Sequence, residues 1–252
     1  MSAVTTHRAD GILRITFDRP ESLNAFTDEM ITEVSDLIEA RGHDDDVRVV
    51  VLTGAGPAFS SGADIRELNA AYETLDNANR LIRAIRQVPK PVVAAVNGPA
   101  AGVGCSIALA ADLIVATESA YFLLAFAGIG LMPDGGSTAL VPAAVGRARA
   151  VRMAMMGERI GARTAEEWGL ITHAVGDEQF QDTVDGLVTR LANGPTAAYA
   201  QTKRAFNATV LAQLETALEI EREGQVALFE TADFAEGAAA FTEKRPPRFL
   251  GK

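Results

Sequence analysis

The chain is poor in cysteine, tryptophan and histidine: its 252 residues include one Cys, one Trp and three His. The single cysteine, Cys105, excludes an intramolecular disulfide framework and fits a reducing cytoplasm. It lies in an apolar, glycine-rich turn, where a buried structural thiol is the plainer reading than a nucleophile. His7, His43 and His173 are scattered, with no HExxH or other ligand spacing, so no metal site is expected. Positive charge is also scarce. The 23 Lys and Arg against 33 Asp and Glu leave a formal net charge of −10, the wrong sign for a nucleic-acid binder. No apolar run reaches the ~18 residues of a membrane span, and Asp112 interrupts the best candidate. Met1–Gly11 holds no apolar signal core. The expectation is a cytoplasmic protein without a nucleic-acid or membrane partner. Gly102-Val103-Gly104 and Gly128-Ile129-Gly130 lack the third glycine of a dinucleotide fingerprint, and no Gly-Lys-Ser/Thr exists for a P-loop.

What is present is apolar residues, 48% of the chain, enough for a substantial core. Ile12, Ile15 and Phe17 predict a first strand, stopped by Arg19-Pro20. Met30, Val34, Leu37 and Ile38 recur at helical spacing after Thr27-Asp28, which predicts a helix over residues 28–41. Strands over 47–53, 92–96 and 113–117 alternate with helices over 75–88 and 102–111, the pattern of an α/β layered core. From about Gly135 the pattern turns helical, broken at Gly157, Gly176 and Asn193-Gly194-Pro195. Capping boxes are expected at Thr164 with Glu167 and at Asp233 with Glu236. Trp168 reads as core. The organisation expected is a mixed core over residues 1–190 and a helical region over 191–252.

Two segments carry the chemistry. Phe59-Ser60-Ser61-Gly62-Ala63-Asp64-Ile65 follows the apolar run Val49-Val50-Val51-Leu52, and Val96-Asn97-Gly98-Pro99-Ala100-Ala101-Gly102-Val103-Gly104-Cys105 follows Val92-Val93-Ala94-Ala95. Each passes through small residues into a helical stretch, so a ligand can approach the backbone and N–H groups are left unpaired. Two such turns side by side would aim two donors at one oxygen, as an oxyanion hole requires. Gly104-Cys105-Ser106-Ile107-Ala108 imitates a nucleophile elbow, but its last residue is Ala where that motif has Gly.

These two segments resemble the paired signature of the enoyl-CoA hydratase/isomerase, or crotonase, family. The likeness continues through Arg19–Ala25, Gly128–Gly136, Ala165–Ile171 and Phe234–Phe241, and so covers nearly the whole chain in order. The resemblance implies a crotonase-like α/β fold, a layered β-sheet core with surrounding helices and a helical C-terminal trimerisation region. It implies a homotrimer or dimer of trimers, with the last helix near a neighbouring subunit's ligand; packing of that region on its own core is the alternative. It implies an acyl-CoA thioester substrate, with CoA entering as part of the substrate and no separate cofactor.

By the same resemblance the oxyanion donors are the backbone N–H groups of Ala63 and Val103. Val103 stands where the family commonly has glycine, and its side chain narrows the pocket. Ser22, Leu23 and Ala25, with Ala63, Asp64, Ile65 and Arg66, resemble the family's pantetheine and adenine walls. Phe241 and Lys244 resemble its C-terminal pair that reaches CoA. For Lys244 and Arg245 a solvated helix end is the alternative. A typical hydratase of the family holds two glutamates that position and deprotonate water. Their places here are Ser106 and Phe126, which bring no basicity to the acyl pocket. One carboxylate remains, Asp134 in Met132-Pro133-Asp134-Gly135-Gly136. Some isomerases of the family, including those acting on phenylacetyl-CoA derivatives, carry a catalytic Asp at this motif. A helix N-cap is the competing role. Three functions stay open: an enoyl-CoA isomerase with Asp134 as base, a hydratase with non-standard acid/base residues, and a non-catalytic acyl-CoA-binding protein.

Overall fold

The computed structural model describes residues 3–64 and 71–252, with the backbone alone for Ala71. The chain opens with a hairpin of β1 (Val4–Ala9) and β2 (Ile12–Phe17), paired from Val4↔Phe17 to Ala9↔Ile12. Its two-residue loop is Asp10-Gly11, both at positive φ (51° and 78°), the backbone that matches the twist of paired strands. β1 is absent from the sequence reading because only Val4 of its six residues is buried. The hairpin loop was the available signal. Helix α1 (Asp28–Arg41) starts where Thr27 accepts a hydrogen bond from the Met30 N–H at 3.2 Å.

β3 (Val49–Gly54), α2 (Ala71–Gln87) and β4 (Val92–Val96) then form a parallel crossover unit. A two-residue strand β5 (Ala100–Ala101) leads into α3 (Val103–Leu109), every residue of which is buried. β6 (Leu113–Thr117) adds beside β4, and β7 (Tyr121–Leu123) follows. A 3-10 turn over Ala125–Ile129 precedes α4 (Ser137–Met156), β8 (Ile160–Gly161), α5 (Ala162–Trp168) and β9 (His173–Val175). Four helices complete the chain: α6 (Phe180–Ala192), α7 (Thr196–Thr209), α8 (Leu214–Phe229) and α9 (Ala232–Thr242).

The main sheet has the order β1-β2-β3-β4-β6-β9, and β5-β7-β8 make a second, small sheet. β8 and β9 correct the nearly all-helical reading after Gly135: Ile160 and Gly161 pair with Phe122 and Tyr121, and His173, Ala174 and Val175 pair in parallel with Val115, Ala116 and Thr117. Three residues at a sheet edge carry too little periodicity to be seen in sequence.

β4 is apolar at every position and β3 from Val49 to Leu52, because both faces of these strands are covered. Val50, Leu52, Val92, Ala94 and Val96 point into the main core. Val49, Val51, Val93 and Ala95 point the other way, onto Val184 and Val188 of α6. Both expected capping boxes are also corrected. α5 starts at Ala162, so Thr164 lies inside it, and the cap of α9 is Thr231, which accepts from the Phe234 N–H at 3.1 Å. Trp168 is half-buried, with the guanidinium of Arg149 4.9 Å from its ring centre. No helix among the described residues is long and apolar enough to cross a membrane.

Candidate active site

A cavity of about 690 Å³ opens beyond the ends of β3 and β4. The chain leaving β3 is stitched to the loop before α1. The Ser61 N–H donates to Leu23 O (2.9 Å), Phe26 N–H to Gly62 O (2.8 Å) and Asp64 N–H to Phe26 O (2.9 Å). Asn24 fastens the same loop from inside: its side-chain amide donates to Ala55 O (2.8 Å) and Ala58 O (2.7 Å) and accepts from the Arg19 N–H (2.9 Å). Successive backbone groups of an extended segment face opposite ways. With residues 62 and 64 bonded to Phe26, the Ala63 N–H faces the other side.

The chain leaving β4 comes alongside. Ala101 N–H donates to Ser60 O at 2.9 Å, and a Cβ added to Gly102 would come to 3.6 Å from the Gly62 Cα. Gly62 has φ of 102°, and Gly102 has φ 52° with ψ −133°, a backbone open only to glycine. Each glycine immediately precedes one expected donor. Val103 is the first residue of α3, so its N–H has no intrahelical acceptor. Among the described residues neither the Ala63 nor the Val103 N–H donates to any group, and both residues border the cavity.

Asp134 borders the same cavity. Its Oδ2 accepts from Gln225 Nε2 at 2.8 Å, while Oδ1, buried, has no partner among the described residues. Burial pushes this carboxyl up to about 7; the Gln225 bond pulls it down, and the nearby Glu221 charge pushes it further up. The N-cap alternative is not what the fold uses. The cap of α4 is Gly136, and the side chain that serves it is Glu221, from α8. Glu221 accepts from Gly136 N–H (2.7 Å), Thr138 N–H (2.8 Å) and Thr138 Oγ1 (2.6 Å). Burial raises the Glu221 carboxyl, against the pull of those three donors.

The other expected residues fall as follows. Ser22, Leu23, Ala25, Asp64 and Phe126 border the cavity. The Asp64 carboxylate pairs with Arg19 at 3.2 Å, and Arg19 also donates to Ala25 O at 2.7 Å, so this pair ties the two turns together. Ser106 is fully buried and is not among the lining residues; its hydroxyl donates to the Asp134 carbonyl at 2.7 Å and so fixes the backbone beside the carboxylate. Ile65 and Arg66 lie outside the described residues. Phe241 and Lys244 border the cavity of their own chain. Arg245 is engaged by Glu236 at 2.6 Å and 2.9 Å. Burial pushes the Cys105 thiol up to about 12, which leaves it inert at neutral pH.

Gln225 and Glu221 were missed in sequence. The signal existed: Leu214, Leu218, Glu221 and Gln225 form one buried stripe on α8, in which two polar residues occupy core positions. Polar side chains in such places are bonded to something specific.

Comparison with known proteins decides the family. Residues 7–252 match the enoyl-CoA hydratase/isomerase family. The chain belongs to that family. It is 39% identical, over the whole of both chains, to a 1,2-epoxyphenylacetyl-CoA isomerase of Escherichia coli. It is 45% identical, over 97% of its own length and 96% of the relative's, to a probable enoyl-CoA hydratase of Rhodobacter capsulatus. A crystal structure of an enoyl-CoA hydratase from Mycobacterium avium subsp. paratuberculosis superposes with a TM-score of 0.94 at 48% identity, over 99% of each chain. The chain therefore has the crotonase-like α/β fold and is an enzyme of the enoyl-CoA hydratase/isomerase family. Relatives of both names are similar to it, so the family does not by itself fix the reaction.

Proposed function

We propose that this enzyme moves the double bond of an enoyl-CoA thioester, with one carboxylate carrying the proton. The observation that carries the reading is the state of Asp134. Among the described residues three carboxylates border the cavity. Glu21 is exposed to solvent, and Asp64 is held by Arg19. Asp134 alone is buried with an oxygen that has no partner. Hydration by two carboxylates would need a second such group, and at the two family positions stand Ser106 and Phe126.

In the reaction proposed, the thioester oxygen accepts from the N–H groups of Ala63 and Val103. Asp134 removes a proton from the α-carbon of a 3-enoyl thioester; the C–H electron pair becomes the double bond between the carbonyl carbon and the α-carbon of a dienolate, and the carbonyl π pair moves onto the held oxygen as negative charge. Asp134 then returns the proton to the γ-carbon as the dienolate collapses, leaving a 2-enoyl thioester. Nothing is consumed or released. Each oxyanion donor supplies ~3 kcal/mol to the charged state. A carboxyl near 7 is matched to such a two-way transfer at neutral pH. Leu23, Ala25 and Asp64 on one side and Phe241 and Lys244 on the other would hold the CoA portion, and CoA enters as part of the substrate. Phe126, Ile129, Leu131 and Phe229 give the deeper cavity an apolar lining. We infer a cytoplasmic homotrimer or dimer of trimers, with exposed Met155, Met156, Phe206, Val210 and Ile220 as apolar surface for assembly.

Ultraviolet absorbance of the conjugated thioester tests the reading with the wild-type enzyme. A 3-enoyl-CoA should gain the 2-enoyl absorbance, and a 2-enoyl-CoA should not lose it to water. Steady loss of that absorbance by hydration would make the enzyme a hydratase. Binding with no change in either substrate would make it an acyl-CoA-binding protein.

A further inference from the structure

Gln225 stands 91 residues from Asp134 in sequence and is fully buried against it. Both ends of its amide are engaged. Oε1 accepts from the Met132 N–H at 3.2 Å, and Nε2 donates to Asp134 Oδ2 at 2.8 Å. This pairing fixes which end of the amide faces the carboxylate: turned over, Nε2 would meet an N–H and Oε1 would meet an anion. The backbone beside Asp134 is fixed independently by Ser106. Two contacts from two helices therefore leave the carboxylate with one held oxygen and one without a partner.

We propose that Gln225 is a positioning residue that grips Asp134 by Oδ2 and leaves Oδ1 as the oxygen that exchanges the substrate proton. The proposal rests on the reading of Asp134 as the base. The physical role is twofold. A donor on Oδ2 limits rotation of the carboxylate, so that Oδ1 keeps one position relative to the acyl chain. The same donor favours the ionised form and so opposes burial, which would otherwise keep Asp134 protonated at neutral pH. The charge of Glu221, one turn earlier on α8, acts in the opposite sense. Glu21, Asp64 and Lys244 border the same cavity.

The test compares Gln225→Leu, of similar size but without a donor, with the wild type and with Asp134→Asn. Turnover of a 3-enoyl-CoA is followed across pH, together with acetoacetyl-CoA affinity. Gln225→Leu should lower kcat at neutral pH by ~10–100-fold, leave KM and acetoacetyl-CoA affinity within about threefold, and move the midpoint of the acid limb to higher pH, so that part of the loss is recovered in alkali. Gln225→Glu should move the midpoint further, because a second carboxylate then faces the first. Should the leucine variant not fold, the more flexible Gln225→Met carries the same expectation. An unmoved midpoint overturns the proposal, whether or not kcat falls, because a merely structural role predicts lost turnover at every pH. If Asp134→Asn is inactive while Gln225→Leu matches the wild type, only the role of Gln225 is lost. If Asp134→Asn is itself fully active, the base is elsewhere and both readings fall.

Discussion

Asp134 sits where a carboxylate is costly, and its cost and its proposed use have one cause. Burial pushes its folded-state value from 3.8 to about 7. The unfolded chain therefore releases this proton at lower pH than the folded protein does. Below pH 3.8 the group is protonated in both states and has no effect. As pH rises from there to about 7 the folded state loses stability relative to the unfolded one, by an amount on the order of a few kcal/mol, and above 7 the loss is constant. Asp134→Asn removes that loss. We expect the variant to melt at higher temperature than the wild type at pH 8, with the gap closing toward pH 4, as calorimetry would show. A variant less stable than the wild type at pH 8 would mean that the charged form is better accommodated than its surroundings indicate. Wild-type turnover should rise with pH through about 7, because the base must be ionised to accept a proton. The meeting of Ala63, Val103 and Asp134 at one cavity follows from contiguous motifs that the family resemblance picks out. Gln225 and Glu221 were not legible in the sequence, since their partners lie 91 and 85 residues away and their meaning exists only once α8 is packed on α4.

Elements were legible where their pattern is internal to the segment. Helix α1 follows its own apolar spacing and its Thr27 cap, and β4 its unbroken apolar run. Elements that exist only through a partner were not. β9 is defined by pairing with β6, and the start of α4 by a side chain from another helix. Gly136 brings no side chain to cap that helix, so Glu221 of α8 bonds its first N–H groups instead. Glu221→Ala should leave the buried Gly136 N–H without its acceptor, at a cost of about 1–3 kcal/mol. The urea midpoint should fall with the slope unchanged, while acetoacetyl-CoA binding is kept. An unchanged midpoint would show that water or a shifted neighbour serves α4 as well. The site's other end depends on close packing. Gly237 of α9 lies against the Ile129 backbone, where an added Cβ would come within 2.5 Å, and this contact sets the last helix over the 125–129 turn and carries Phe241 and Lys244 to the cavity.

For the whole molecule, the layered α/β core was legible, because strands covered on both faces read as continuous apolar runs. The placement of α9 over its own chain's cavity was not, since no local pattern says which surface a terminal helix will cover. If three copies assemble, light scattering should give a particle of at least three times 26.6 kDa, and a monomer at micromolar concentration would contradict the assembly. The reaction is the larger claim, and it brings two turns, one cavity and one carboxylate to a single thioester. Its most direct test is the initial rate at which a 3-enoyl-CoA becomes the 2-enoyl isomer, measured side by side for the wild type and Asp134→Asn at neutral pH. The account predicts a rate ~10²–10⁴ lower for the variant, with thioester affinity unchanged. Equal rates for the two proteins would contradict it.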